Sequence, residues 1–309
     1  MEPKRYIVWS KKEVDLDDPF QRKWYIKQVL LHGRAEDLRS LDLDELARLL
    51  PELDLPGNIK SLWEDLLRRK GNPKDGPFEG LQRPSERNEG RRGILTSVQR
   101  DFLRSFSLVP DSEEFYLTGG TALAEFYLGH RFSLDLDFFT PHEGLILPFS
   151  RSLEAHLREH GWDVEVVRRF STFVEGTAGR GERSVRFELA LDSPFRFSEP
   201  VDTEYGVKVN SYEDIVVDKL LAFYGRTEVR DAVDLYFVLR REDPRELMEK
   251  AKKKDPGFDP YWFAVALRKV EEFPDDVERW PVEMVVDISA REVKEFLYEL
   301  GTRIATELL

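Results

Sequence analysis

The chain has 309 residues, no cysteine, five histidines, a charged fraction of 35% and a net charge of -13. The lack of cysteine excludes disulfides and thiolate metal sites, and the acidic balance argues against a broadly basic nucleic-acid wrapper while leaving RNA held by a local patch open. No stretch reads as a membrane span and no signal-like segment opens the chain, so the expectation is a cytoplasmic protein of two or three domains.

Residues 1–70 read as a small helical module. Segments 24–31, 43–50 and 59–67 carry apolar residues at helical spacing, and Pro51, Pro56 and Gly57 separate them. Residues 71–93 are rich in Gly, Pro, Asn and charge and read as a linker. They hold the densest basic run, Arg83, Arg87, Arg91 and Arg92, either a solvated linker or an arm that meets a nucleic-acid backbone.

Residues 94–210 follow with helix 94–106, strand 114–118, helix 121–129, strand 134–139 and helix 149–160. Strands 162–174 and 183–191 and a short strand 206–210 complete this part. Helices between the early strands and adjacent strands later predict an α+β domain with a small mixed sheet. His156 and His160 are four apart on a helix but lack the HExxH pattern, and read as surface residues. Residues 211–309 are helical, with segments 212–225, 229–240, 244–253, 259–272 and 290–308. Ser211 and Asp214 have the spacing of a capping box at the first of these.

The chemistry concentrates in residues 115–139, FYLTGGTALAEFYLGHRFSLDLDFF. Gly119 and Gly120 fall where a strand passes into a helix. Without Cβ atoms they let the backbone turn sharply and approach a ligand, and the amides that follow can receive phosphate, with the Thr121 hydroxyl beside them. Asp135 and Asp137 occupy alternate strand positions and share one face; Leu134, Leu136 and Phe138 share the other, expected in the core. Paired carboxylates on one face repel unless a cation lies between them, and strands avoid Asp, so a solvated strand face is the poorer account. Hard oxygen ligands suit Mg²⁺ or Mn²⁺. A phosphate-friendly turn beside such a pair suits a metal-bound nucleoside triphosphate.

A two-metal site calls for a third carboxylate from a neighbouring strand. In 184–192, Val185, Phe187, Leu189 and Leu191 form the core face, and Arg186, Glu188, Ala190 and Asp192 the opposite one. Glu188 is central there. It is the candidate third metal ligand or the base for an attacking hydroxyl; the plainer alternative is a partner for an arginine.

At these residues the chain resembles the nucleotidyltransferase superfamily related to DNA polymerase beta, and more closely the AbiEii/AbiGii group of toxin-type nucleotidyltransferases. The matching residues are Gly119-Gly120-Thr121-Ala122-Leu123, Leu128, Arg131, Ser133 and Asp135-Leu136-Asp137-Phe138-Phe139. Asp218-Lys219-Leu220-Leu221-Ala222 and Arg230-Asp231-Ala232-Val233-Asp234-Leu235-Tyr236 resemble the group's later lysine and RDxxDL motifs. The resemblance implies a polymerase-beta-like core and catalytic roles for Lys219 and Asp231. Lys219 can offer a point charge to the triphosphate, and Asp231, on one helix face with Asp234, can orient Lys219 or position the acceptor. Surface ion pairs with Arg226, Arg230 and Arg240 are the plainer alternative. Arg131 and Ser133 would touch phosphate or fix the loop.

The implied reaction transfers a nucleoside monophosphate from an NTP to an acceptor hydroxyl, with Mg²⁺ or Mn²⁺ held by Asp135, Asp137 and Glu188. The resemblance makes the 3′ end of tRNA a leading acceptor and a protein hydroxyl another. Arg168, Arg169, Arg180, Arg183 and Arg186 could steer an RNA backbone or neutralise nearby acids. A cognate antitoxin is an implied partner, and the N-terminal module vaguely resembles antitoxin-type modules. The competing readings are a non-catalytic nucleotide-binding regulator on the same fold and a small-molecule nucleotidyltransferase of the antibiotic-modifying kind.

Overall fold

The computed structural model describes residues 1–69 and 93–309; the basic run Arg83, Arg87, Arg91 and Arg92 and nearly all of the linker lie outside the described residues. The chain opens with helices α1 (Pro19–His32), α2 (Ala35–Leu38), α3 (Leu43–Leu49), α4 (Gly57–Arg69) and α5 (Ser97–Phe106). Strand β1 (Tyr116–Thr118), helix α6 (Gly119–Leu123), strand β2 (Asp135–Thr140) and helix α7 (Ile146–Glu159) follow. Strands β3 (Asp163–Arg169), β4 (Phe173–Arg180), β5 (Arg183–Leu191), β6 (Val201–Asp202) and β7 (Lys208–Val209) lead to helices α8 (Tyr212–Arg226), α9 (Val229–Leu239), α10 (Pro244–Lys254), α11 (Pro260–Arg268) and α12 (Ala290–Leu308). The fold is α+β, and among the described residues no helix is long and apolar enough to cross a membrane.

Two compact units share these elements. One comprises Met1–Arg83, Leu221–Arg279 and Ser289–Leu309, the other Pro84–Leu220 and Trp280–Ile288. Sequence spacing sets 1–70 apart from 211–309; the helices of 1–69 and those that follow α8 fall together in the first unit, whereas Tyr212–Leu220 of α8 falls in the second. The reason is apolar area. Helix α4 buries Ile59, Leu62, Trp63 and Leu66, a stripe that so short a module cannot cover alone, and packs it on α11 and α12. Trp63 Nε1 donates to the Tyr261 hydroxyl at 3.2 Å, which donates to the Leu30 carbonyl at 2.7 Å. The Arg268 side chain is wholly buried. It pairs with Asp65 at 2.8 Å, donates to Thr302 Oγ1 at 2.6 Å and lies 3.6 Å from the centre of the Tyr298 ring.

The second unit is built on a seven-stranded mixed sheet of order β3-β4-β5-β2-β1-β7-β6. Strand β2 runs antiparallel to β1 and parallel to β5. Its alternate residues Leu136 and Phe138 are fully buried, as the spacing predicts. Phe106 of α5 stacks on Phe138 with centroids 3.9 Å apart, and Phe102 stacks on Phe187 of β5 at 5.3 Å. Each buried aromatic is worth about 1.5–3 kcal/mol, so α5 clamps the backs of the two strands whose fronts carry acids. Leu134 does not join this core. Strand β2 begins one residue later, and Leu134 is 70% exposed. The expected strand 162–174 is a hairpin arm that turns at 170–172, with Phe170 exchanging backbone hydrogen bonds with Phe173, the first residue of β4. The expected helix 121–129 starts at Gly119 and continues as a π-turn, Ala124–Leu128, and strand 206–210 shrinks to two residues.

The buried Arg268 charge yields a stability prediction. Burial pushes the Asp65 carboxyl up, but hydrogen bonds from Arg268 and Tyr298 outweigh it and hold the group below its usual value near 3.8. A carboxyl depressed by folding stabilises above its unfolded pKa, and that contribution vanishes as pH falls through the folded pKa. Asp65→Asn should therefore destabilise at pH 7 by about 3 kcal/mol, since it strands a buried guanidinium. Urea midpoints of variant and wild type should converge when measured well below pH 3.8.

Candidate active site

Gly119 ends the β1 arm with φ +72°, the left-handed region that favours glycine, and a Cβ there would fall 2.0 Å from Asp137 Oδ2. The turn thus needs glycine twice, for its backbone and for the carboxylate laid against it. A Cβ on Gly120 would fall 2.4 Å from Arg131 Nη2 and 3.0 Å from Ser133 Oγ. Gly119, Gly120, Arg131, Ser133 and Asp137 therefore converge on one small cradle. Thr121 is buried, and its hydroxyl donates to the Asp135 carbonyl, fastening the turn to the first residue of β2.

Two supports hold the loop that carries Arg131 and Ser133. Gln99, in the capping box of α5, donates from Nε2 to the carbonyls of Ser133 at 2.8 Å and Leu134 at 3.2 Å. On the other side, the segment 280–288 returns from the helical stretch as a strap. Phe132 N donates to the Glu283 carbonyl at 2.8 Å, Val285 N donates to the His130 carbonyl at 2.9 Å, and Arg131 bridges Met284. Neither support is visible in the local motif; the strap's residues lie about 150 positions downstream and bond through backbone atoms, which carry no residue signature.

The acids form a row. Register places Thr118 opposite Asp137, Asp137 opposite Glu188, Glu188 opposite Glu175 and Glu175 opposite Arg168, across β1, β2, β5, β4 and β3. Glu188 thus flanks Asp137 on the next strand, where the alternation of β5 puts it. Glu175 is a third member that sequence spacing missed. Arg186, opposite Asp135, ties the row together: its Nη2 lies 2.9 Å from Glu175 and 2.8 Å from Glu188, and Arg168 lies 3.4 Å from Glu175. Burial opposes the Arg186 charge, but Asp135, Glu175 and Glu188 outweigh it and raise the group's affinity for its proton. Among the described residues no group of three or more His, Cys, Asp and Glu side chains is gathered in a way that could hold a metal ion. As a donor set, the aspartates of β2 and the adjacent Glu188 are the hard oxygens that Mg²⁺ or Mn²⁺ takes; Glu188 is engaged with Arg186.

Helix α8 supplies the lysine. Lys219 is buried on it, and a buried ammonium is retained only against anionic or polar partners. Asn210, which the motif reading passed over, connects this helix to the glycine turn: its Nδ2 donates to Thr118 Oγ1 at 3.2 Å and to Asp218 Oδ2 at 3.1 Å. The Tyr127 hydroxyl donates to the Asn210 carbonyl at 2.6 Å, and burial pushes that phenol up to about 12. At the start of α8, Ser211 Oγ accepts from Asp214 N at 3.0 Å, as the capping spacing predicts, and the Asp214 carboxylate accepts from Ser211 Oγ at 2.9 Å and from Phe197 N and Ser198 N.

Asp231 belongs to the helical unit. It is fully buried on α9 and receives both Nε and Nη2 of Arg226, at 2.6 and 2.8 Å. Arg230 pairs with Glu228, and Arg240 with Glu292. Of the five-arginine cluster, Arg168 and Arg186 pair with acids of the row and Arg169 pairs with Glu154, while Arg180 lies over Trp162 and Arg183 donates to Ser97.

Residues 101–275 match the family model described as nucleotidyl transferase AbiEii toxin, type IV toxin–antitoxin system. The chain belongs to this family. It is a nucleotidyltransferase, and all ten candidate site residues, from Gly119 to Asp231, fall inside the matched AbiEii region, whereas the strap lies beyond it. An uncharacterized protein of Aquifex aeolicus (strain VF5) is 29% identical over 214 residues, 66% of this chain and 98% of that one. A putative nucleotidyltransferase from H. pylori matches with TM-score 0.49 at 19% identity, covering 68% of this chain and 93% of that one. The nucleotidyltransferase toxin MenT4 from Mycobacterium tuberculosis H37Rv matches with TM-score 0.47 at 15% identity, covering 86% and 90%.

The glycine cradle gives a direct test. Gly119→Ala must displace the Asp137 carboxylate, and a misplacement on the ångström scale should lower nucleotidyl transfer about 100-fold with unchanged far-UV circular dichroism. Gly225→Ala on α8, where a Cβ meets nothing within 4 Å, is the matched control and should retain full transfer.

Proposed function

We propose that this AbiEii-family enzyme transfers a nucleoside monophosphate from an NTP to an acceptor hydroxyl, using Mg²⁺ or Mn²⁺ at Asp135 and Asp137. The observation that carries the proposal is the joint cradle, in which the Asp137 carboxylate lies against Gly119 while the Arg131 guanidinium and the Ser133 hydroxyl lie against Gly120. The space a Cβ would take at Gly119 and Gly120 is filled by Asp137, Arg131 and Ser133, so the turn holds these groups beside the backbone that the triphosphate would approach. Arg131, Ser133 and Lys219 supply donors and charge to its oxygens as negative charge builds on the leaving pyrophosphate. A divalent cation bound at Asp135 and Asp137, completed by Glu188, would lower the pKa of the acceptor hydroxyl and neutralise the leaving group. Glu188 is also within reach of the role of base, accepting the hydroxyl proton as the acceptor oxygen bonds to the α-phosphorus and the bond to the β-phosphate breaks. Asp231 joins the set by family resemblance, and its visible effect is to orient Arg226.

The acceptor we propose is RNA, the 3′ end of tRNA foremost, in the cytoplasm, with the enzyme acting as a toxin held in check by an antitoxin. This rests on the family. The arginine cluster adds Arg180 and Arg183 as candidate backbone contacts, because the other three arginines are paired with acids.

The test is incubation with each α-³²P-labelled NTP, Mg²⁺ and total tRNA, beside Asp135→Asn/Asp137→Asn. Label should enter RNA with wild type and fall to background with the variant. Label on protein alone moves the acceptor to a polypeptide. Label on neither RNA nor protein, but on an aminoglycoside-type acceptor, establishes the small-molecule reading instead.

A further inference from the structure

The row on the sheet contains two groups for which the reaction above has no use, Glu175 and Arg186. Asp137, Glu188 and Glu175 stand directly opposite one another on three adjacent strands, about 4.8 Å apart from strand to strand. Like charges so placed repel. Arg186 relieves this with one nitrogen, Nη2, shared between Glu175 and Glu188 at 2.9 and 2.8 Å. The two contacts are not equivalent. Glu175 is the more buried acid, at 13% against 24%, and is also held by Arg168, whereas Glu188 borders the aspartates of β2. The Arg186 side chain itself is 47% exposed and so has room to swing.

We propose that Arg186 is a built-in counter-ion that occupies Glu188 until a divalent cation arrives, and that Glu175 is the anchor onto which it then withdraws. The proposal rests on the metal reading of Asp135 and Asp137. A cation placed against those aspartates meets the guanidinium as a like charge and competes with it for the Glu188 carboxylate. Withdrawal keeps one of the two ion pairs, so Arg186 need never be stranded. The device keeps the empty row neutral enough to fold and sets the cation affinity. Arg186 and Glu175 act through Glu188 and are positioning residues.

Titration with Mn²⁺, following free Mn²⁺ by electron paramagnetic resonance, separates this from a merely structural role because two variants must move in opposite directions. Arg186→Gln removes the competitor and should tighten Mn²⁺ binding roughly three- to tenfold, the scale of one partly screened charge. Its metal-free melting temperature should fall and be regained with Mn²⁺. Glu175→Gln leaves Arg186 only Glu188 and should weaken Mn²⁺ binding by a similar factor. Arg186→Lys keeps the charge and should bind as wild type does; with Glu175→Gln it carries the test if Arg186→Gln does not fold. Wild type that binds Mn²⁺ with variants of unchanged affinity, or shifted in the same direction, overturns the proposal alone. Wild type that binds no Mn²⁺ overturns the metal reading, and this proposal with it.

Discussion

Carboxylates aligned across neighbouring strands of one sheet face must find positive charge, and the sheet unit is organised around that requirement. Asp137, Glu188 and Glu175 form such a row, with Asp135 one pleat away opposite Arg186. Arg186 and Arg168 meet the demand from within the protein. A nucleotidyltransferase needs the demand to persist, because a row already satisfied by fixed side chains would have no call on a cation. The half-exposed Arg186 is a reversible answer to a charge that the site must keep available.

The scaffold makes the row tolerable by fixing everything behind it. Phe106 on Phe138 and Phe102 on Phe187 lock the backs of β2 and β5, so their fronts can carry acids without the strands slipping register. The glycine turn brings backbone to within contact of Asp137 where any side chain would intrude. Gln99, the 280–288 strap and Asn210 then tie the Arg131–Ser133 loop and α8 to this frame through hydrogen bonds that involve backbone or small side chains. A site fixed from this many directions is preorganised for charge that develops late in a reaction.

Much of this was legible in the sequence because it depends on local period. Alternation in β2 and β5 revealed which face carries Asp135, Asp137 and Glu188, and the Gly-Gly step announced a turn whose cramped geometry the structure explains. The register between strands was not legible, and with it went Glu175, whose importance comes from a pairing made by β4. The strap was hidden for the same reason, since its contacts are backbone hydrogen bonds between distant segments. Leu134 was misplaced by extending the alternation one residue beyond the strand, where no partner holds the pleat. Residues 1–70 read as a module apart because helix spacing shows that a stripe such as that of α4 is apolar, and not which helices cover it.

The central claim, that Asp135, Asp137 and the glycine cradle form the reaction centre, is tested most directly by anomalous diffraction from crystals grown with Mn²⁺ and a non-hydrolysable NTP. The account predicts an anomalous peak against the Asp135 and Asp137 carboxylates, with the triphosphate over Gly119 and Gly120 and Arg186 drawn to Glu175. Nucleotide bound elsewhere, or bound there with no anomalous peak at those aspartates, would contradict it.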